Sequence, residues 1–133
     1  MHFKSNLEER VYSAIKASRL FSFLTIKVQH PWHKLFDYPK YENRTVDFYL
    51  KEYSLVLEVH GEQHRHAIKL HGDLAQREAK LIQQLRRDKK LINLCRENDY
   101  HYWHIWYDEI RSRDDEELTV FIEKNILRVI ENA

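Results

Sequence analysis

Two acidic residues on neighbouring predicted strands are the residues of this chain best placed to carry out chemistry. Asp47 lies in the run Thr45–Leu50, and Glu58 lies in the run Leu55–His60. Both runs are rich in β-branched, aromatic and aliphatic residues, and the short polar link Lys51–Ser54 between them predicts a β-hairpin. This hairpin is therefore the element that must position the two acids.

The predicted register of the hairpin brings the two carboxylates face to face. A four-residue loop pairs Leu50 with Leu55, which sets Asp47 directly across from Glu58. Opposed side chains on one face have Cβ atoms about 5 Å apart, and like charges placed there destabilise a sheet. A hard divalent cation between them would turn the repulsion into ligation, because Mg²⁺ prefers carboxylate oxygens. The pair therefore predicts a Mg²⁺ (or Mn²⁺) site.

The motif around these acids resembles the core of the PD-(D/E)xK nuclease superfamily. Asp47 stands on one strand and Glu58-Val59-His60 on the next, with His60 where many members have lysine. Within that superfamily, the sequence from Val59 to Gly61 followed by His64 is similar to the very-short-patch-repair endonucleases and to the related EDxHD homing-endonuclease catalytic domains. Arg87-Asp88 and the aromatic run to Trp106 continue the similarity, which covers roughly residues 43–106.

The resemblance implies a role for each residue of the motif. Asp47 would hold the metal, and Glu58 would be a second ligand or a water-orienting acid. His64 would act as general base or acid, since histidine titrates near neutral pH, and Asp88 would orient it. His60, in the lysine position, could replace the charge of the lysine only when protonated.

A glutamate on the first predicted helix is a further candidate. Ser5 and Asn6 precede Glu8 and Glu9 at the spacing of a capping box. The relatives place a glutamate of this helix near the metal, and Glu8 is the better-positioned candidate because it borders the apolar face. For either residue, a capping glutamate that stabilises the helix dipole is the alternative interpretation.

Asp88 interrupts an apolar stripe on the long predicted helix. The other members of the stripe are Leu81, Leu85, Ile92 and Cys95. A carboxylate buried there needs a partner, which could be a histidine, an arginine or a metal ion. A salt bridge to a neighbouring lysine or arginine is the structural alternative to the functional role. A zinc site is a further alternative, because four histidines follow one another over a short stretch: His60, His64, His66 and His71. Their spacing matches no closed zinc motif.

Several basic residues lie close together on the long predicted helix, although the formal net charge of the chain is only +1. A basic stripe in a neutral protein can be a phosphate footprint, and a solvated helix surface is the alternative. The predicted DNA contacts are Arg44, Arg86, Arg87, Lys89 and Lys90. The segment His30–Asn43 contains several aromatic residues, which could stack on bases or pack against the edge of the sheet.

The length of 133 residues suits a single domain spanning 1–133. The lone cysteine, Cys95, excludes an internal disulfide framework. The first residues lack the apolar run of a signal peptide, and no apolar run approaches transmembrane length. We therefore expect a cytoplasmic protein without a membrane partner.

The periodicity of apolar residues predicts helices and strands in alternation along the chain. The expected elements are a helix from Ser5 to about Leu20, strands Ser22–Val28, Thr45–Leu50 and Leu55–His60, a helix from Asp73 to about Glu97, a strand Tyr100–Tyr107, and a final helix opened by Ser112 with Asp115. These elements predict an α/β fold with a central mixed β-sheet flanked by helices. The resemblance further implies a restriction-endonuclease-like arrangement.

The leading functional hypothesis is a divalent-metal-dependent DNA endonuclease that hydrolyses phosphodiester bonds. One alternative is a nucleic-acid-binding module that kept the fold and lost cleavage. The other is the catalytic domain of a mobile-element protein. Metal-dependent nicking of DNA separates the first two, and neither the DNA structure cut nor the oligomeric state follows from the sequence.

Overall fold

Four strands and four α-helices build the part of the chain that the computed structural model describes, residues 3–61 and 74–132. In chain order they are α1 (Asn6–Ala17), β1 (Ile26–Pro31), β2 (Thr45–Leu50), β3 (Leu55–His60), α2 (Leu74–Glu97), β4 (His101–Trp106), α3 (Tyr107–Arg111) and α4 (Asp115–Glu131). Short 3₁₀ turns fill the links before β2 and β3.

The strands form one mixed sheet in the order β1-β2-β3-β4. The first two pairings are antiparallel, and β4 runs parallel to β3. Leu50 pairs with Leu55, so the predicted hairpin register is confirmed. The carboxyl ends of β3 and β4 lie at the same end of the sheet, next to the amino end of β2.

Each face of the sheet is covered by helices over its own apolar core. On one face, α1 and α4 pack on side chains such as Phe48, Leu57 and Ile105. On the other face, α2 contributes Leu91 and Cys95 to a cluster with the segment after β1. The predicted α/β class with a mixed sheet flanked by helices is therefore confirmed. The restriction-endonuclease-like arrangement remains a prediction.

The aromatic segment before β2 packs against the sheet. Trp32, Phe36 and Tyr38 are buried within the α2-side cluster, whereas Tyr41 is 86% exposed. Burying these rings removes large apolar areas from water, which stabilises the attachment of α2 to the sheet. This outcome matches the packing alternative that the sequence left open.

Several predicted element boundaries were wrong. The first helix ends at Ala17 instead of Leu20, because the Ser18 hydroxyl oxygen accepts bonds from the main-chain N–H groups of residues 20 and 21. The first strand runs over Ile26–Pro31 instead of Ser22–Val28. Proline is tolerated there because β1 is an edge strand. The final helix is capped by Asp114 with Glu117, and Ser112 instead ends the unpredicted α3.

The predicted apolar stripe of α2 was also partly wrong. Leu85 is 52% exposed, whereas Leu91, which the stripe omitted, is fully buried beside Cys95. Asp88 lies on this buried side, as expected. Among the described helices, none combines the length and the apolar character needed to cross a membrane.

Candidate active site

The two predicted acids lie together where the hairpin ladder ends. The paired register stops at Phe48 opposite Leu57, so the next facing residues are Asp47 and Glu58. The Asp47 main-chain N–H donates to Glu58 Oε2 at 2.8 Å, and the Val59 N–H donates to Asp47 Oδ2 at 2.8 Å. Each carboxylate thus binds the backbone of the opposite strand, which fixes its orientation at the edge of the sheet.

Glu8 reaches the same place from the first turn of α1. Ser5 caps the helix by accepting from the Glu8 N–H at 3.2 Å. The Glu8 side chain is buried, and its Oε1 accepts from Gln29 Nε2 at 2.8 Å. Glu9, the neighbouring candidate, instead lines a separate groove between α1 and α4. The helix phase therefore selects Glu8.

Gln29 links Asp47 of β2 to Glu8 of α1, and sequence reasoning missed it. Its amide nitrogen also lies 3.4 Å from Asp47 Oδ1, and its amide oxygen accepts from the Thr45 hydroxyl at 2.8 Å. The backbone of Gln29 has φ of 48° in the middle of β1. A non-glycine residue in this region costs about 1–3 kcal/mol, and such strain clusters at functional sites. No sequence pattern announces this position.

Arg87 supplies the countercharge for the acids. Its Nη1 donates to Glu58 Oε1 at 2.9 Å and to Asp88 Oδ1 at 3.3 Å. Its Nη2 donates to the Thr45 carbonyl at 3.0 Å. The guanidinium was predicted to contact DNA from a helix surface, and the structure places it inside the site, between α2 and the hairpin.

A second group of possible ligands surrounds Glu58 on the α2 side. Glu58, His60 and Asp88 each offer one ligand atom, and these atoms lie within 4.8 Å of one another. The His60 ring stacks on His104 at a centroid distance of 4.4 Å. Asp88 also accepts from Gln84 Nε2 at 2.9 Å. Glu58 therefore belongs to two clusters, one with Asp47 and Glu8 and one with His60 and Asp88.

Burial raises the pKa of all three carboxyls of the first cluster, and repulsion by Asp47 adds to this rise at Glu58 and Glu8. Burial, and next the negative charge of Asp47, raise the pKa of Glu58 from 4.5 to about 7. Burial raises the pKa of Asp47, and burial followed by the Asp47 charge raises the pKa of Glu8. A nearby cation would reverse these shifts, because it favours the charged carboxylates. Perturbed acids in a cleft are typical of functional sites.

The three acids open into one cleft of about 450 Å³. Its lining combines acidic and basic side chains, including Lys4 and Arg111 beside the residues described above. A cleft that combines acidic and basic side chains suits an anionic ligand that brings its own cation. Cys95 offers no nucleophile, because burial raises the pKa of its thiol to about 12.

The remaining predicted site residues fall in other places. Arg44, Arg86 and Lys90 line a separate groove beside the cleft, and Lys89 lies outside that groove. His64 lies outside the described residues. Asp88 forms the ion pair with Arg87 that the structural alternative called for.

No protein-family model matches the chain, and the curated proteins contain no match either. The functional conclusion therefore depends on the geometry of the site.

Proposed function

We propose that the chain is a divalent-metal-dependent endonuclease that hydrolyses phosphodiester bonds in DNA. The observation that carries this proposal is the convergence of Glu8, Asp47 and Glu58, from three different elements, on one open cleft. Three buried carboxyls with raised pKa values are unfavourable to a fold that has no use for them. An oxygen-only ligand set of this kind suits Mg²⁺ or Mn²⁺.

The residues present fit such a cation. Asp47 and Glu58 would hold it, and Glu8 would add a third carboxylate through the Gln29 link. When bound, the metal would polarise the phosphate and acidify a water molecule. The chain itself fixes the carboxylates through the Asp47 and Val59 N–H groups, so little reorganisation accompanies binding.

The proton transfers are assigned to the histidines. His64 keeps its proposed role as general base or acid, with Asp88 as its orienting partner. His60 stacks on His104 beside Glu58, where its protonated form would supply the positive charge of the lysine that it replaces. Arg87 balances the charge of Glu58 and Asp88 before substrate arrives.

A plasmid-nicking assay tests the proposal. Purified protein should nick or cut DNA with Mg²⁺ or Mn²⁺, and EDTA should stop the reaction. Asp47→Asn should lose at least two to three orders of magnitude in rate, because the group removed would bind the metal in the transition state. Asparagine has the shape of aspartate, and its Oδ1 can still accept from the Val59 N–H, so we expect the variant to fold. Undiminished cleavage in EDTA would exclude metal dependence.

The second candidate is a binding module that does not cleave. The observation that favours it is the Arg87 ion pair, which stabilises Glu58 without any metal. Such a module would bind DNA with equal affinity in EDTA and in Mg²⁺ and would leave plasmid DNA intact in both.

A further inference from the structure

A second concave site lies beside the acidic cleft. Arg44, Gln83, Arg86, Arg87 and Lys90 line a groove of about 340 Å³, called here the basic groove. Arg44 comes from the segment before β2 and the other residues from α2, so the fold assembles the groove from distant parts of the sequence. Among the residues that the structure describes, this lining consists of four cationic side chains and one neutral amide and includes no carboxylate. The groove thus offers mainly positively charged hydrogen-bond donors.

Buried aromatic rings hold three of these cations in place. The Arg44 and Arg87 guanidinium carbons each lie 5.4 Å from the centroid of Trp32. Lys90 Nζ lies 5.1 Å from the centroid of Tyr38. Both rings are buried in the core cluster under α2, which fixes their positions by packing. Cation–π contacts of this kind preorganise the charges, which lowers the entropy cost of binding an anion.

The basic groove and the acidic cleft share one residue. Arg87 lines both, and its Nη1 binds Glu58 at 2.9 Å. The acidic cleft and the basic groove therefore adjoin at Arg87. An extended polyanion bound in the cleft could also reach the groove.

We propose that the basic groove binds a backbone phosphate of the DNA strand whose scissile phosphodiester lies in the acidic cleft. The inference rests on the proposed function and adds to it a fixed point of attachment for the substrate. Phosphate contacts of this kind set the register of the strand and carry no sequence information. Glu42, whose Oε2 lies 3.8 Å from Arg44 Nε, weakens the attraction of the groove for a phosphate.

The experiment measures binding of a fluorescein-labelled DNA duplex by anisotropy, in EDTA, across a series of salt concentrations. The variant Arg86→Gln/Lys90→Gln removes two charges from the groove. The matched control, Lys124→Gln/Arg128→Gln, removes the same two charges from exposed positions of α4 on the opposite face of the sheet. Circular dichroism verifies the fold of both variants.

We expect the slope of log K against log salt concentration to fall by about 0.9 for each phosphate that the groove variant no longer neutralises. The control should keep the wild-type slope, and Glu42→Gln should bind more tightly than wild type. Equal slopes in the groove variant and the control would overturn the proposal, as would a wild-type protein that does not bind duplex at low salt.

Two further measurements distinguish free phosphate from DNA phosphate as the ligand, and the groove proposal from the nuclease proposal. If inorganic phosphate stabilises the wild type but not the groove variant against heat, while the groove variant binds the duplex with the wild-type salt slope, the groove is a site for a free anion and the proposal is overturned. Binding in EDTA requires no cleavage. If the protein binds duplex with the expected slopes but never cuts it, the nuclease proposal is wrong and the groove proposal stands. If it cuts DNA but the groove variant and the control have equal slopes, only the groove proposal is wrong.

Discussion

Replacing Glu58 by glutamine should change how the stability of the protein depends on pH. The pKa of this carboxyl rises from 4.5 to about 7 on folding, chiefly through burial. Between these values the folded state binds more protons than the unfolded state, so the free energy of unfolding falls as pH rises. Above pH 7 the buried charge of Glu58 therefore lowers the free energy of unfolding of the wild type, whereas at pH 4 this effect is absent.

The size of this term follows from the shift. At 1.36 kcal/mol for each pKa unit, the change from 4.5 to about 7 gives an upper bound of roughly 3 kcal/mol. Asp47 titrates together with Glu58, so the measured change belongs to the pair. Glu58→Gln also weakens the bonds to Arg87 and to the Asp47 N–H, which adds an offset to its stability. An offset that does not depend on pH leaves the difference between the two pH profiles intact.

Urea unfolding monitored by tryptophan fluorescence at pH 5, 6, 7 and 8, in EDTA, provides the assay. The stability of wild type minus that of Glu58→Gln should decline by about 2–3 kcal/mol over this range. Glu97→Gln, an exposed glutamate on α2, controls for the loss of one acid. Adding Mg²⁺ at pH 8 should stabilise the wild type more than Glu58→Gln, because the cation offsets the buried charge. Parallel pH profiles would refute the assignment of a buried, perturbed Glu58.

Three other predictions probe the neighbours of Glu58. Gln29→Gly should relieve the strain at φ 48° and be more stable than Gln29→Ala by about 1 kcal/mol. Both variants should lose the same amount of cleavage activity, because both lack the amide. Unequal losses would mean that the strain, and not the amide, matters for activity. Calorimetric Mn²⁺ titration should show that Asp47→Asn weakens binding at least tenfold more than Asp88→Asn, whereas the reverse order would favour the cluster with His60. His64→Ala, Asp88→Asn and the double variant should lose similar amounts of cleavage, because residues acting as a unit are non-additive; multiplicative losses in plasmid nicking would separate the two.

The hairpin and its acids could be predicted because their signals are local. A strand has a period of two, so a four-residue link fixes which residues face one another. Counting along the two strands is therefore enough to pair Asp47 with Glu58. The helix phase likewise put Glu8 at the border of the apolar face of α1, and the fold brings it to the cleft.

The residues that complete the site could not be found in the same way. Gln29 matters because β1 departs from regular geometry at that residue, and neither composition nor spacing reports a positive φ. Arg44 and Lys90 meet through the packing of Trp32 and Tyr38, which depends on contacts between residues distant in sequence. The error in the α2 stripe has a related origin: Leu91 is buried because the aromatic segment packs there, and periodicity alone does not locate that segment.

Arg87 shows what charge counting along a helix leaves out. In the sequence it is one of several basic residues on α2, and together with Arg86 and Lys90 it lines the basic groove. Its own guanidinium turns inward, where it bonds to Glu58, Asp88 and the Thr45 carbonyl. Burying several carboxyls in one place would strongly destabilise the fold if no positive charge accompanied them. Arg87 accordingly lets the chain fold before any cation is bound, and the same contact makes it the residue through which a phosphate in the basic groove would act on Glu58.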